Sequence, residues 1–320
     1  MDKQDATVSV VIVNYNTRHL LDELFSGLKL ACDGLDVQIV VVDNASKDQS
    51  VELLRSRYPD VELIANPSNV GFGRANNQAL PLLRGKYVLL LNTDAFVAPD
   101  TLRKTVACMD AHPGCGVLGV RLVGRDGALQ PSCRYFPTPW NGFLAALGLT
   151  RWFPSVRMID DMDWDHDSMR ECDWVPGCYY LIRRTVIDQV GLFDPRYFLY
   201  YEEVDHCHAV KQAGWKVLYF PDTQVVHIGG ESAKSDHKIT ESGRQVPILQ
   251  IESELLFYRK HLGLKGVLLS VGLGLLADVL IAVKGVIRRL DYRGLIVRFK
   301  HAEAVLVLLG RTSWGRRGTR

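Results

Sequence analysis

Several common signals are absent from this sequence of 320 residues. Its seven cysteines are an odd number, are scattered along the chain and form no Cys-x-x-Cys pair, which argues against a zinc site and a disulfide framework. We therefore expect free thiols, as in a reducing cytosol. The first residues lead directly into an apolar strand pattern without an apolar signal segment, so we expect no export.

The chain also lacks internal repeats, low-complexity tracts and a strong overall charge. Hydrophobic residues make up 47% and charged residues 23% of the sequence, which excludes general disorder. The net charge of +2 is unevenly distributed, since residues 262–320 hold eleven Lys/Arg and only three acidic residues. We expect two parts with different partners: a domain at residues 1–244 and a helical, basic and apolar extension at residues 245–320.

A repeated strand ending is the most informative pattern that is present. Apolar runs at residues 8–13, 39–42 and 87–91 each end abruptly in polar residues, at Asn14, Asp43 and Asn92 respectively. Continuous apolar runs predict strands buried on both faces of a parallel sheet, and in such sheets ligands bind beyond the carboxyl ends of the strands. Asp43 and Asp94 are therefore expected to line one crevice.

Strand and helix patterns alternate through the first 125 residues. The predicted strands are 8–13, 37–42, 61–65 and 87–91, and the predicted helices are 18–31, 46–58, 74–83 and one from Pro99-Asp100 to about Pro113-Gly114. This alternation predicts an α/β fold with a mostly parallel sheet flanked by helices.

The periodicity weakens after residue 125. Four prolines between 131 and 154 predict a long irregular segment over the active edge of the sheet, up to about residue 175. Further predictions are a strand at 179–182, a helix at 202–213, a strand at 215–220 stopped by Pro221, and helical structure beyond residue 245.

Five motifs occur in an order and spacing that match a known family. They are Val-Ile-Val-Asn14-Tyr-Asn16, Val-Val-Asp43-Asn-Ala-Ser46, Asn69-Val-Gly-Phe-Gly73 with Ala75-Asn-Asn77, Leu-Leu-Asn92-Thr-Asp94, and Tyr201-Glu-Glu-Val-Asp205. Over roughly residues 7–230 the chain resembles the family 2 glycosyltransferases, especially the branch with rhamnosyltransferases that build bacterial surface polysaccharides. The resemblance implies a GT-A-type fold and transfer of a sugar from a nucleotide-diphosphate donor with inversion.

Asp43 is the first candidate ligand of the nucleotide. In isolation, an Asp beside Asn44 is typical of a helix cap or a turn. A carboxylate can also accept the imide N–H of uracil or thymine, and this is the role that the resemblance implies for Asp43. It also places Asn14 and Tyr15 on the nucleotide side, although Tyr15 can equally be a packing residue.

The glycines at 71 and 73 precede a predicted helix. Backbone N–H groups in such a turn favour an anion such as a diphosphate, while a simple tight turn is the alternative. The resemblance assigns Asn69, Gly71 and Asn77 to the nucleotide sugar.

Asn92-Thr-Asp94 stands where many relatives carry Asp-x-Asp, whose carboxylates hold a divalent cation. Here the first Asp is replaced by Asn92, which we assign to the nucleotide-sugar side. Asp94, with phosphate oxygens and water, can suffice for Mg²⁺ or Mn²⁺, or it can simply cap the next helix. The resemblance makes His227 a second ligand, whereas a lone His after a strand is ordinarily a core or surface residue.

Glu202, Glu203 and Asp205 open a predicted helix, where the helix dipole favours acidic residues whatever their function. Inverting transfer needs a base to take the proton of the acceptor hydroxyl. The resemblance makes Glu203 this base, with Asp205 as the fallback. Trp174 matches a segment on the acceptor side and can stack on a sugar ring or serve as a packing anchor.

Residues 266–283 contain one charge, Asp278, and six basic residues follow by position 300. A spanning helix needs about twenty apolar residues, and a central Asp costs about 2.5–3.5 kcal/mol. Three glycines in this stretch weaken helix formation further. We expect this part to lie on the membrane surface, at the cytoplasmic face of the cell membrane, because basic residues favour anionic lipid; packing on the domain is the alternative. No nucleic-acid motif accompanies the charge.

These patterns together predict an inverting glycosyltransferase that uses a divalent cation. The resemblance favours dTDP-L-rhamnose as donor, with a UDP-sugar as the alternative, and a lipid-linked saccharide as acceptor. A rival hypothesis is a non-catalytic, membrane-attached protein that binds nucleotide sugars and organises a polysaccharide pathway. A dinucleotide-dependent oxidoreductase fits less well, because no Gly-x-Gly-x-x-Gly follows the first strand.

Overall fold

The computed structural model describes residues 6–229, 247–289 and 292–320. Two compact units are present. The first contains the described parts of Met1–Arg134, Met162–Pro195 and Glu202–Gln245, and the second those of Tyr135–Asp161, Arg196–Tyr201 and Val246–Arg320. The predicted boundary at residues 244 and 245 lies outside the described residues and stays a prediction.

A mixed sheet of ten strands forms the first unit within the described part of the chain. The strands are β1 Val8–Asn14, β2 Val37–Asp43, β3 Glu62–Ala65, β4 Tyr87–Leu91, β5 Ala95–Val97, β6 Cys115–Val123, β7 Leu129–Gln130, β8 Arg170–Cys172, β9 Tyr179–Arg183 and β10 Lys216–His227. Their order is β3-β2-β1-β4-β9-β6-β10-β5, with β7 paired to β6 and β8 to β10.

The parallel half of the sheet follows the apolar runs of the sequence. Strands β3, β2, β1 and β4 are parallel neighbours, and every residue of β4 is buried. Val8, Val10 and Ile12 are fully buried as well. Burying such a side chain contributes about 1.5–3 kcal/mol, so the continuous runs fix these strands in the centre of the sheet.

The other half of the sheet is mixed rather than mostly parallel. Strand β9 runs antiparallel between β4 and β6, whereas β6 and β10 are parallel to each other. Strand β10 does not stop at Pro221 as predicted but continues to His227. Its register against β6 shifts between Phe220 and Gln224, and this irregularity accommodates a proline, which cannot donate a ladder hydrogen bond.

Seven helices of the described chain precede the C-terminal ones. They are α1 Arg18–Ala31, α2 Ser50–Arg57, α3 Phe72–Ala79, α4 Thr101–Ala111, α5 Pro139–Leu147, α6 Arg184–Val190 and α7 Glu202–Gln212. Helix α1 has the predicted bounds because its apolar residues recur every three or four positions and are buried on one face. Helix α2 begins four residues later than predicted, since residues 44–49 form a loop.

Six of these strands and helices were not predicted from the sequence: β5, β6, β7, β8, α5 and α6. Helix α5 lies inside the segment that was expected to be irregular. Thr138 and Asn141 form a capping box, Pro139 occupies the first turn, and Gly148 ends the helix with φ 67°. The prolines of this segment therefore begin a helix rather than exclude one.

Two helices follow in the second unit, α8 at Pro247–Arg289 and α9 at Tyr292–Arg311. Gly263 interrupts α8 with φ 68° and ψ −162°. By length and composition alone, α8 can cross a bilayer: the most apolar stretch of Ile248–Ile287 has a mean hydropathy of 2.3, and 33% of it is buried. All seven cysteine thiols are free, as expected.

The start of β4 tolerates no side chain at Gly85. A Cβ atom there would lie closer than 3.0 Å to backbone atoms of Val8, Ser9 and Tyr87. We expect Gly85→Ala to lower the free energy of unfolding by about 1–3 kcal/mol, because backbone cannot move aside cheaply. In the control Gly114→Ala the new Cβ meets nothing within 4 Å. Equal denaturation midpoints for the two variants would contradict this account.

Candidate active site

The carboxyl ends of β1, β2 and β4 meet at one edge of the sheet, as the strand endings predicted. Asn14 and Asp43 are directly paired in the register of β1 and β2. Strands β6 and β10 point the same way because β9 lies antiparallel between β4 and β6. The last residue of β10, His227, therefore reaches the same edge.

Asp43 is held in a buried polar network. Its Oδ2 accepts a 2.7 Å hydrogen bond from the Asn14 amide, and its Oδ1 accepts a 2.9 Å bond from the backbone N–H of Ser46. The Asn14 amide also donates to the Ser46 hydroxyl at 3.0 Å. Asp43 is 1% exposed. A carboxylate has about four acceptor sites, so it retains capacity for a further donor.

Hydroxyl groups connect this network to the loop after β4. The Thr17 hydroxyl lies 2.7 Å from Oδ1 of Asn14 and 2.8 Å from the hydroxyl of Thr93. All three side chains are buried. The nucleotide-side candidates and Asn92-Thr-Asp94 therefore belong to one connected edge. Tyr15, beside Asn14, is half-buried.

Asp94 and His227 face each other across this edge. Strand β5 pairs antiparallel with β10, which places Ala95 opposite His227, and the backbone N–H of Ile228 donates to the Asp94 carbonyl. Oδ1 of Asp94 lies 3.7 Å from Nε2 of His227. This separation is too long for a hydrogen bond, so the two side chains approach each other without bonding directly.

Gln130 holds the His227 ring. Its Nε2 donates to the His227 carbonyl at 2.8 Å, and its Oε1 lies 2.9 Å from Nδ1 of the ring. Gln130 reaches this position because β7 pairs with the end of β6. Sequence reasoning missed this residue, since only the pairing of β7 brings it near His227.

The Asn69 to Gly73 loop is stabilised by side-chain amides. Asn69 Oδ1 accepts from the backbone N–H of Gly71 at 2.9 Å and from the Asn44 amide at 2.8 Å. Asn44 Oδ1 accepts from the Val70 N–H. Gly71 adopts φ 90° directly before α3, a conformation that favours glycine. Two backbone donors of this turn are thus already bound within the protein.

Asn77 is bound to a neighbouring backbone segment. Its amide donates to the Phe193 carbonyl at 2.7 Å and accepts from the Phe193 N–H at 3.1 Å. The side chain therefore fixes the loop after α6 to α3. Its assignment to the nucleotide sugar stays a prediction.

The dipeptide Gly177-Cys178 contacts both groups of acidic residues, since a Cβ atom at Gly177 would lie 4.0 Å from Glu203 and Cys178 bonds to the Asn92-Thr-Asp94 turn. The Cys178 carbonyl accepts the backbone N–H of Asn92 at 3.0 Å. Burial raises the pKa of the Cys178 thiol, and the Asp94 and Glu203 carboxylates raise it further. Asp94 and Glu203, far apart in sequence, therefore both lie close enough to one buried thiol to act on it electrostatically.

Glu202 and Glu203, at the start of α7, differ in their surroundings. Burial raises the pKa of Glu202 well above its usual range, and the Glu203 charge adds to this; Glu202 is 1% exposed, and among the described residues its Oε1 has no hydrogen-bond partner. Burial also raises the pKa of Glu203, but backbone N–H groups of Glu203, Gly177 and Val204 and the Arg134 guanidinium oppose it. Glu202 therefore favours the protonated form, whereas Glu203 is better suited to act as an ionised base. Asp205 is buried in the same turn.

Arg134 lies over the face of Trp174, with the guanidinium carbon 4.1 Å from the ring centroid. The backbones of the two residues also pair. Trp174 is buried, so one face of its ring is already covered, and its predicted stacking on a sugar stays a prediction. No sequence signal had identified Arg134, which lies in the proline-rich stretch.

Comparison with known proteins agrees with this geometry. Residues 9–161 match the model of glycosyl transferase family 2. The N-acetylglucosaminyl-diphospho-decaprenol L-rhamnosyltransferase of Mycobacterium tuberculosis H37Rv is 30% identical over 251 residues, which cover 73% of this chain and 77% of that protein. The chain belongs to the family 2 glycosyltransferases.

Other glycosyltransferases of known sequence or structure are similar as well. The rhamnosyltransferase WbbL of Escherichia coli K12 is 24% identical over 242 residues, covering 71% of this chain and 86% of that protein. The mannosyltransferase PcManGT of Pyrobaculum calidifontis, solved with GDP-Man and Mn²⁺, has a TM-score of 0.52 at 17% identity and covers 98% of this chain and 89% of that one. The predicted fold class and enzyme class are confirmed, and the chain is a glycosyltransferase similar to rhamnosyltransferases.

Proposed function

We propose that this glycosyltransferase moves L-rhamnose, with inversion, from a dTDP-linked donor to a lipid-linked saccharide at the cytoplasmic face of a membrane. The observation that carries the mechanism is that Asp94 and Glu203 both approach Gly177-Cys178: the Asn92 N–H donates to the Cys178 carbonyl, a Cβ atom at Gly177 would lie 4.0 Å from Glu203, and both carboxylates act on the Cys178 thiol. The donor sugar and the acceptor class are supported by the names of the M. tuberculosis and E. coli relatives.

Asp43 would bind the base of the nucleotide. Its carboxylate has acceptor capacity beyond the bonds from Asn14 and Ser46, and it would accept the imide N–H of thymine. Uracil offers the same donor, so the choice of dTDP follows from similarity to rhamnosyltransferases.

Asp94 and His227 fit a divalent cation. Their nearest atoms are 3.7 Å apart, which is compatible with two ligands at about 2.1 Å from one ion. The described residues contain no cluster of three or more His, Cys, Asp or Glu that could hold a metal, so diphosphate oxygens and water would complete the coordination. When bound, the cation would neutralise charge on the leaving nucleotide diphosphate.

Glu203 would act as the base in a single displacement. The acceptor oxygen attacks the anomeric carbon, its proton passes to the Glu203 carboxylate, and the bond from the anomeric carbon to the diphosphate oxygen breaks. Glu203 is favoured over Glu202 because Arg134 and three backbone N–H groups support its ionised form.

The matched pair Glu203→Gln and Glu202→Gln tests this assignment. We expect Glu203→Gln to lower kcat by about 10²–10⁴, the usual contribution of a positioned base, while affinity for the donor survives. Glu202→Gln should stay close to the wild-type rate, because Gln resembles the protonated Glu202. Rates are measured with dTDP-L-rhamnose and a lipid-linked saccharide, and donor affinity by calorimetry. Full activity of Glu203→Gln would exclude the proposed base.

The positive charge of Arg134 should influence how the transfer rate depends on pH. Activity is lost as pH falls through the pKa of the base, and the Arg134 cation lowers the pKa of Glu203. Arg134→Met keeps an apolar stem against Trp174 but removes the charge, so the acidic limb of kcat/KM should move to higher pH, with the rate recovering at alkaline pH. Arg134→Lys should restore much of the wild-type profile. A uniform loss of rate at all pH values would indicate a packing role alone.

The second unit would attach the enzyme to an anionic membrane surface. Helices α8 and α9 expose apolar side chains, including Ile287 at 77% and Phe299 at 72%, and basic residues such as Lys284 and Lys300 lie nearby in sequence. Apolar burial and attraction of basic residues to anionic lipid act together in such helices.

Sedimentation with vesicles tests the membrane contact. The double variant Ile287→Glu with Phe299→Glu should bind vesicles of anionic phosphatidylglycerol at least tenfold more weakly than the wild type, since each apolar side chain is replaced by a charge that anionic lipid repels. Leu30→Glu, at an exposed apolar position of α1 (61%), is the control and should bind like the wild type. An equal loss of vesicle binding in the double variant and in Leu30→Glu would indicate a general charge effect and contradict a membrane contact through α8 and α9.

A further inference from the structure

The second unit contains a cavity of about 300 Å³ between α5, α8 and α9. This is the lower end of the range for small-molecule sites, about 300–1,000 Å³. One part of its wall is apolar and includes Phe143, Val271, Ile281 and Val305. The rest is polar and is formed by Glu254, Tyr258, Ser270, Asp278, Arg298 and His301.

The polar part of the wall is an organised network. Asp278 is 5% exposed, and its carboxylate accepts hydrogen bonds from Nδ1 of His301 at 2.6 Å and from the Arg298 guanidinium at 3.3 Å. The Ser270 hydroxyl donates to Glu254 at 3.0 Å. Burying polar groups among apolar helices costs free energy unless they are hydrogen-bonded. If the second unit served only as an apolar membrane anchor, this polar wall would lower its stability without a function.

The charges of the wall disfavour an ionic ligand. Arg298 and His301 already face the Asp278 carboxylate, so an anion would find no free cation and would approach Asp278 and Glu254. Burial raises the pKa of Glu254, which favours its neutral form. A cation would therefore meet a single carboxylate that is already paired.

The wall suits a neutral ligand with several hydroxyl groups. A wholly apolar ligand would cover the carboxyl of Glu254 and the hydroxyl of Tyr258 without offering them hydrogen bonds, which is unfavourable. Saccharide hydroxyls both donate and accept, and a sugar ring also has an apolar C–H face that can pack on Val271 and Ile281. Both types of contact are available in this cavity.

We propose that this cavity binds a saccharide head group carried on a lipid. The lipid part is inferred from the outer surface of the same helices, where apolar side chains such as Ile287 and Phe299 are exposed. The identification of this lipid-linked saccharide with the acceptor substrate rests on the proposed function. The existence of a saccharide-binding site in the cavity does not depend on that function.

Gly274 allows the cavity to be filled without touching its polar groups. It lines the cavity, and a Cβ atom added there meets nothing within 4 Å. Gly272, two residues earlier in α8, is exposed, and a Cβ atom there also meets nothing within 4 Å. Gly274→Leu and Gly272→Leu therefore make the same substitution in the same helix, but only the first fills the cavity.

The probe is n-octyl β-D-glucopyranoside below its micelle concentration, titrated into the full chain by calorimetry. Octyl phosphate and octyltrimethylammonium carry the same tail with an anionic and a cationic head. We expect the glucoside to bind to the wild type and to Gly272→Leu at least tenfold more tightly than either charged amphiphile, and Gly274→Leu to lose at least tenfold in affinity. Ser270→Ala, which removes one hydroxyl donor, should weaken binding as well and covers the case in which Gly274→Leu fails to fold.

Three results would overturn the proposal: no glucoside binding to the wild type, equal affinity for the three amphiphiles, or unchanged affinity in both cavity variants. Donor affinity and donor hydrolysis, measured on the same proteins, should be the same in Gly274→Leu as in the wild type. Glucoside binding without any sugar transfer would contradict the proposed function and leave the cavity site standing. Sugar transfer without glucoside binding would contradict the cavity site and leave the proposed function standing.

Discussion

One backbone hydrogen bond sets the geometry of the site, the bond from the Asn92 N–H to the Cys178 carbonyl at the end of the β4–β9 pair. Asp94 follows Asn92 by two residues, and Gly177, whose N–H supports the Glu203 carboxylate, precedes Cys178 by one. Both acidic groups are therefore anchored, through short turns, to the end of the same sheet ladder. A rigid ladder positions side chains more accurately than a mobile segment can.

The parts that were predictable from the sequence are those whose signal is local. Continuous apolar runs predict β1 and β4, and a three-to-four spacing of leucines predicts α1, so the polar ends of β1 and β2 were correctly expected at one edge of the sheet. Gln130 and Arg134 could not be found this way, because their partners lie about 97 and 40 residues further along the chain. Helix α5 is not predictable from its prolines alone, because a proline breaks a helix in its interior but begins one in the first turn, where Pro139 lies.

The second unit shows why a single charge in an apolar stretch is hard to interpret from sequence. From the sequence, Asp278 suggests a free-energy cost for placing this helix among lipids. That interpretation holds only if its carboxylate has no charged or hydrogen-bonding partner. Its partners Arg298 and His301 are on the next helix, and helical periodicity within α8 carries no information about them. Packing of α9 against α8 therefore turns Asp278 from an unpaired charge into a partnered one.

The two contacts of Gln130 determine which nitrogen of His227 carries hydrogen. Because the Gln130 amide nitrogen donates to the His227 carbonyl, its oxygen is the group turned towards Nδ1. An oxygen acceptor requires a proton on Nδ1, so in the neutral ring the lone pair is on Nε2. The imidazole thus presents a Lewis base towards Asp94, and Gln130 selects this tautomer from the other side of the ring.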